Sequence, residues 1–304
     1  MIVVLGSINV DLFFAVDRLP GRGETVLAPG MTVRPGGKGA NQAAAAARAG
    51  ASTLFLGCIG EDAAGGDVLA ALAETGCAVS RVRRLPGVTG TAVVMVEAGG
   101  ENQIVVASGA NLSVTADLLD AVPLGPGTTL VCQMEIPPDQ TAEALRRARA
   151  AGARTVLNLA PARPVTAAAL AEVDMLVVNK PEAESLEGQA GTPLGLARTL
   201  AARHDLTCVV TLGREGAIAA GPDGNAWSVG VLAVEAVDTV GAGDAFVGVL
   251  AASLDGGATL PEALHRASVA AGLACTREGA MPSLPDAAAI EIHLGELAPA
   301  RRLD

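Results

Sequence analysis

The stretch TLVCQMEIPPDQTAEALRRARAAGARTVLNL, residues 129–159, holds the pattern that decides the fold. Two short apolar runs, Thr129–Gln133 and Thr155–Leu159, flank a helical-looking stretch rich in Ala, Leu and Arg, Thr141–Ala151. Strand, helix and strand in that order make a parallel pair joined by its crossover. The pattern extends outward in both directions. Ile2–Leu5, Thr53–Cys58, Met175–Val178 and Cys208–Leu212 are further runs of buried-strand type, with helical segments between several of them. The expected fold class is α/β, a central, mostly parallel sheet with helices on both faces. Ligands in such folds gather at the carboxyl ends of the strands.

Two regions interrupt the alternation. Leu12–Val33 and Thr91–Val106 lack a clear helix and carry alternating apolar and polar positions. In the second, a Gly99-Gly100 turn separates TAVVMVE from NQIVV, which reads as a hairpin. We expect a small β-sheet lid formed from about residues 12–33 and 91–106; an irregular surface loop is the other reading of the first segment. No repeat or low-complexity linker divides residues 1–304, so a single domain is expected. The terminal ELAPARRLD reads as a frayed end.

Composition narrows the function classes. Half of the 304 residues are hydrophobic, but no run reaches the ~18 apolar residues of a membrane span. The opening MIVVLGSINVDL has neither a basic leader nor a small-residue cleavage site, so a cytoplasmic location is expected. A formal net charge of -11 disfavours a nucleic-acid surface, which neutralises phosphates with clustered Lys and Arg. Cys58, Cys77, Cys132, Cys208 and Cys275 are odd in number, dispersed and apolar in context; they read as small buried hydrophobes. His204, His265 and His293 lie away from every Gly-rich motif and read as surface or satisfied residues. Chemistry is therefore sought in the carboxylates.

The segment VDTVGAGDAFVGVLAASL, residues 237–254, carries the strongest chemical signal. Gly241, Ala242 and Gly243 precede an apolar-periodic run, which puts them at the first turn of a helix, where unpaired N–H groups and the helix dipole favour an anion. Asp244 then stands beside the bound anion. It either complements the dipole or accepts the proton of an attacking hydroxyl, and the motif alone leaves both open. Gly36-Gly37-Lys38-Gly39-Ala40-Asn41-Gln42 places a second glycine turn before a helix. No Ser or Thr follows Lys38, so this is not a Walker loop. Close approach at Gly37, the donors of Lys38 and the Asn41 amide suit neighbouring hydroxyls of a polyol, and Asn9 and Asp11 alternate onto one side to add further polar groups.

GSINVD, GGKGANQ, GENQIVV with GANLS, QMEIP, LNLAPAR, VNKPEAE, VTLGREGA, VDTVGAGD and TREGAMPS together resemble the ribokinase family of sugar kinases, in the family's order over nearly the whole chain. The resemblance implies transfer of the γ-phosphoryl group of ATP to the terminal hydroxyl of D-ribose, giving D-ribose 5-phosphate and ADP. It implies a sugar-binding set of Asn9, Asp11, Gly37, Lys38, Gly39, Asn41 and Glu135, with Asp11 a bidentate partner of two ring hydroxyls. Asp244 is implied as the base beside an anion hole at Gly241, Ala242 and Gly243. Asn179 and Glu182 match an Asn-x-x-Glu element that helps to place Mg2+ and phosphate through water. Thr211, Gly213, Arg214, Glu215 and Gly216 resemble the nucleotide-binding turn, with Ser268 at the adenine end. Asp238, Val240, Ala274, Arg277, Gly279 and Ser283 fall in the family's monovalent-cation loop, where K+ acts structurally, mainly through backbone carbonyls. Homodimerisation through the β-lids is also implied.

Rival readings are a kinase of the same superfamily acting on deoxyribose, a ketohexose or a nucleoside, and an inactive sugar sensor. Four Phe, one Trp and no Tyr leave few rings to stack on a nucleoside base. The intact Gly241, Gly243 and Asp244 argue against the sensor, which has no use for a base.

Overall fold

The computed structural model describes residues 1–304 except Ala98, Gly100 and the side chain of Asn102; the Gly99-Gly100 turn thus lies partly outside the described residues. The chain opens with β1 (Ile2–Leu5), crosses out to β2 (Asn9–Val16) and β3 (Thr32–Gly36), and enters α1 (Lys38–Arg48). It returns as β4 (Thr53–Leu56) and β5 (Cys58–Gly60), then α2 (Ala63–Glu74), β6 (Arg83–Leu85), β7 (Gly90–Glu97) and β8 (Asn102–Ala107). Regular alternation follows through β9 (Thr129–Cys132), α3 (Pro138–Ala150), β10 (Arg154–Asn158), α4 (Ala167–Leu170) and β11 (Met175–Asn179). Two helices, α5 (Lys180–Glu187) and α6 (Pro193–His204), precede β12 (Thr207–Thr211), β13 (Ala217–Ala220) and β14 (Ala226–Val229). The last elements are α7 (Ala242–Asp255), α8 (Leu260–Ala274), α9 (Ala287–His293) and β15 (Arg301–Leu303).

Among the described residues the strands form a nine-stranded sheet in the order β15-β14-β13-β12-β11-β10-β9-β1-β4, a four-stranded sheet β3-β2-β7-β8, and the pair β5-β6. From β4 to β12 the large sheet is parallel; β13, β14 and β15 run antiparallel. Successive residues of each parallel strand face opposite cores, as a pleat requires. Ile2 and Val4 pack with α1, α2, α7, α8 and α9, while Val3 and Leu5 pack with α3, α5 and α6. The α/β expectation holds, with helices on both faces and a small separate sheet. Strand order reverses beside β1, which has β4 on one side and β9 on the other. Doubly wound sheets open a crevice at such a point.

Several boundaries move. Asn9 and Asp11 lie beyond the first strand. A Cβ at Gly6 would fall 2.8 Å from the Gly39 Cα, so the chain leaves the large sheet there and both residues belong to β2 of the small sheet. Thr53–Cys58 likewise divides at Gly57, with Cys58 passing into the β5-β6 pair. The small sheet uses 9–16, 32–36, 90–97 and 102–107, and residues 17–31 contribute no strand to it. The C-terminus is not frayed. Arg301–Leu303 pairs with β14 and satisfies its otherwise open edge, and Leu303 packs on the core beneath.

Four cysteines are buried and Cys275 is partly exposed. Burial pushes the thiols of Cys77, Cys132 and Cys208 up to about 12, which keeps them unreactive. His265 is bonded to the Leu297 carbonyl at 2.8 Å and His293 to Glu296 at 2.9 Å. Among the described residues no helix is long and apolar enough to cross a membrane.

Helices α1 and α7 set the position of everything at the crevice. Ala43–Ala46 are fully buried on α1, and Gly248 of α7 lies against them. A Cβ at Gly248 would sit 2.5 Å from the Gln42 carbonyl oxygen and 2.6 Å from the Ala45 Cβ. Within an ordinary helix, Gly to Ala gains about 1 kcal/mol. At this crossing the sign reverses. Gly248→Ala is expected to lower stability by roughly 1–3 kcal/mol in chemical denaturation, because the backbone it meets cannot step aside. An unchanged or raised midpoint would show that the helices do not depend on this contact.

Candidate active site

The start of α1 is built by backbone approach. Gly37 precedes the helix at φ +89°, and a Cβ there would lie 2.8 Å from both Ile8 Cα and Asn9 N. The Ala40 N–H donates to the Ser7 carbonyl at 2.8 Å, Gly39 N–H to Ser7 Oγ at 3.2 Å, and Lys38 N–H to Glu135 Oε2 at 3.0 Å. Ser7 Oγ donates to that same carboxylate oxygen at 2.6 Å. Glu135 therefore caps α1 with one oxygen, a role that sequence spacing of 97 residues hides. The Gly39 N–H, engaged by Ser7, is not open to a sugar.

Asn9 and Asp11 project from β2 on one side, as expected. Asn9 Oδ1 accepts from Asn111 Nδ2 at 2.7 Å, and Asn111 Oδ1 in turn accepts from the Ile8 N–H at 3.0 Å. Asn111, a buried residue of the GANLS motif, was given no role from sequence; it fixes the Asn9 amide. Asp11 lies over Gly36, where a Cβ would meet its carboxylate at 2.0 Å. Among the described residues its Oδ1 is buried without a partner. Desolvation first, then the charges of Glu135 and Asp244, push its carboxyl up to about 7, with Lys38 opposing. The Lys38 ammonium is held above the usual lysine range, chiefly by Asp244 and further by Glu135, Glu182 and Asp11, against desolvation.

Gly241, at φ +82°, begins α7 with no side-chain cap; the Ala242 N–H donates to the Thr239 carbonyl at 3.3 Å, and among the described residues the N–H groups of Gly243 and Asp244 have no backbone partner. A Cβ at Gly241 would strike Ala280, whereas one at Gly243 would meet nothing within 4 Å. The space above Gly243 is room for a ligand. Asp244, 7% exposed, accepts from Asn41 Nδ2 at 3.1 Å and from Gln42 Nε2 at 2.9 Å. A cavity of about 260 Å³ joins Asp244, Lys38, Gly241, Gly243, Asn179 and Glu182.

A second cavity, of about 490 Å³, shares Asn179, Thr211, Thr239 and Gly243 with the first. Gly213, Arg214, Gly216 and Ser268 border it, while Glu215 lies exposed outside its lining. The Ser268 hydroxyl donates to the Gly230 carbonyl, so its proton is already committed. Its apolar wall, including Leu232, Val234, Phe246 and Ala271, gave no sequence signal, because such residues look like any core. Asn179 and Glu182 form a capping box for α5: Asn179 Oδ1 accepts from the Glu182 N–H at 2.8 Å and Glu182 Oε2 from the Asn179 N–H at 2.7 Å. Desolvation pushes the Glu182 carboxyl up, opposed by the Asn179 N–H and Lys38.

Asp238 ties two loops together. Its Oδ1 accepts from the Val240 N–H at 3.0 Å, its Oδ2 from the Gly279 N–H at 2.8 Å, and Arg34 lies 3.7 Å away. Ala274 is buried at the end of α8, Ser283 Oγ donates to the Ala280 carbonyl at 2.9 Å, and Arg277 is exposed. With Asp238 committed to N–H groups, a cation here would rest on backbone carbonyls, which suits a large monovalent ion. Among the described residues no group of three His, Cys, Asp or Glu side chains converges as a metal site. A divalent ion at Asn179 and Glu182 would rely on phosphate oxygens and water for most ligands, which fits Mg2+.

The model of the pfkB family of carbohydrate kinases matches residues 1–287. A Schizosaccharomyces pombe ribokinase is 35% identical over 300 residues, covering 93% of this chain and 94% of that one. A Salmonella typhi deoxyribokinase is 32% identical, with 93% and 95% covered. The solved structure of an Arabidopsis thaliana ribokinase complexed with ribose and ATP superposes with a TM-score of 0.87 at 31% identity, covering 96% and 98%.

The raised Asp11 makes a prediction with a definite sign. The folded state keeps the Asp11 proton to about 7, whereas the unfolded chain releases it near the ordinary aspartate value of 3.8. Its contribution to stability is complete below about 4 and is lost as pH rises through about 7. Asp11→Asn is therefore expected to melt above the parent at pH 8 and close to it at pH 4. An equal offset at both pH values in calorimetry would contradict the buried, proton-retaining Asp11.

Proposed function

The chain belongs to the pfkB family of carbohydrate kinases, and we propose that it is an ATP-dependent kinase that phosphorylates the terminal hydroxyl of D-ribose, giving D-ribose 5-phosphate and ADP. The observation that carries this reading is the place of Asp244. It stands at the first turn of α7 with Asn41 and Lys38 on one side and Gly243, common to both cavities, on the other. A sugar over Asn9, Asp11 and Asn41 would bring its terminal hydroxyl to this carboxylate.

In the proposed step the hydroxyl proton passes to Asp244 as the oxygen attacks the γ-phosphorus. The bond from that phosphorus to the β–γ bridging oxygen breaks, and ADP leaves with the electron pair. First-turn N–H groups of α7 and the Lys38 ammonium stabilise charge on the transferring oxygens. Asn179 and Glu182 would help to hold Mg2+ with the nucleotide, where it would neutralise phosphate charge, and the loop around Asp238, Val240, Ala274, Arg277, Gly279 and Ser283 would hold K+, which would steady the anion hole. The small sheet that carries Asn9 and Asp11 serves as a lid excluding water as a rival acceptor. Its β8 edge exposes Ile104, Val105 and Val106, which supports homodimerisation through paired lids. Sedimentation at working concentration should give a dimer, and a monomer would remove this assignment.

2-Deoxyribose is the second reading, supported by the deoxyribokinase relative. Initial rates with D-ribose, 2-deoxyribose, fructose and adenosine, each with MgATP, decide between them. D-Ribose is expected to give the highest kcat/KM, and potassium to raise its rate above that in sodium at equal ionic strength. Negligible ribose turnover beside a better sugar would overturn the substrate, and equal rates in the two salts would overturn the cation loop.

A further inference from the structure

Three motif amides outside the proposed sugar and nucleotide contacts form one buried chain that ends on Asp244. Gln133 Nε2 donates to Gln42 Oε1 at 2.7 Å; Gln42 Nε2 donates to Asn158 Oδ1 at 2.9 Å and to Asp244 Oδ1 at 2.9 Å; Asn158 Nδ2 donates to the Val177 carbonyl at 3.1 Å. Gln42 and Gln133 have no exposed surface, and Asn158 is 8% exposed.

The direction of each amide follows from the two ends of the chain. The Val177 carbonyl only accepts, so Asn158 turns its NH2 there and its oxygen toward Gln42. Asp244 as a carboxylate also only accepts, so the Gln42 NH2 serves both oxygens and leaves Gln42 Oε1 for the Gln133 NH2. Neither Gln42 nor Asn158 has an alternative orientation that preserves the network.

We propose that Gln42 is a positioning residue for the base. Clamped by Gln133 and Asn158, it holds Oδ1 of Asp244 and, with Asn41 on Oδ2 at 3.1 Å, fixes the plane of the carboxylate, so that the remaining lone pair of Oδ2 meets the sugar hydroxyl. This deepens the kinase reading and rests on Asp244 being the base. Without Gln42 the carboxylate is held by Asn41 alone and tilts about that one bond, and errors of about 1 Å in such geometry cost ~10²-fold in rate.

Gln42→Met keeps the volume and removes both donors; Gln42→Glu keeps the shape and sets a carboxylate against Asp244. With D-ribose and MgATP, Gln42→Met is expected to lower kcat by about 10²-fold, with the KM for ribose and its binding in calorimetry within a few-fold of the parent. In an Asp244→Asn background the same change is expected to cost nothing further, because a residue acting only through the base is silent once the base is gone. If Gln42→Met does not fold, Gln42→Glu carries the same comparison. A kcat within about threefold of the parent, or an equal loss with and without Asp244, would overturn the proposal. The Asp244→Asn rate on its own reports on the base assignment separately, so failure of either reading is recognisable.

Discussion

The close crossing of α1 and α7 at Gly248 is the constraint on which the rest of the site depends. Gly248 stands against the Gln42 carbonyl and Ala45, and the absent side chain lets two helix starts converge at the carboxyl ends of β1 and β9. From α1 come Lys38, Asn41 and Gln42; from α7 come the uncapped first turn and Asp244. Neither helix alone makes a site. Pressed together, they put amide donors on both oxygens of the carboxylate and leave open space above Gly243.

The electrostatic arrangement follows from that convergence. Asp11, Glu135, Glu182 and Asp244 all act on one ammonium, Lys38. Asp11 is the member left short of a partner, with a buried orphan oxygen and a carboxyl pushed up to about 7. A buried polar atom without a partner costs stability, as a residue kept for a task other than folding does. The small sheet matters for this reason: it carries Asn9 and Asp11 on β2, while Asn111 and the bare backbone of Gly36 hold them in place.

Local chemistry was legible in the sequence wherever it depended on neighbours in the chain. The apolar runs of the parallel strands, the helix begun by Gly241 and Asp244, and the glycine turn before Lys38 all read correctly. What depended on distant partners did not. Glu135 capping α1, Asn111 holding Asn9, and the Gln133–Gln42–Asp244 chain join residues 97, 102, 91 and 202 positions apart, and no spacing rule reaches that far. The same blindness applied to β15, whose short polar RRL earns its place only because β14 offers an open edge. Ser268 borders the larger cavity, but its hydroxyl is engaged by Gly230, which only folded geometry reveals.

The two cavities meet at Asn179, Thr211, Thr239 and Gly243, and Asp244 lines the smaller one next to that junction. The most direct measurement is single-turnover phosphoryl transfer from MgATP to D-ribose by Asp244→Asn, with ribose binding determined on the same sample. The account predicts a rate loss of about 10²–10⁴-fold with ribose affinity within a few-fold of the parent. Transfer at the parent rate, with the sugar still bound, would contradict it.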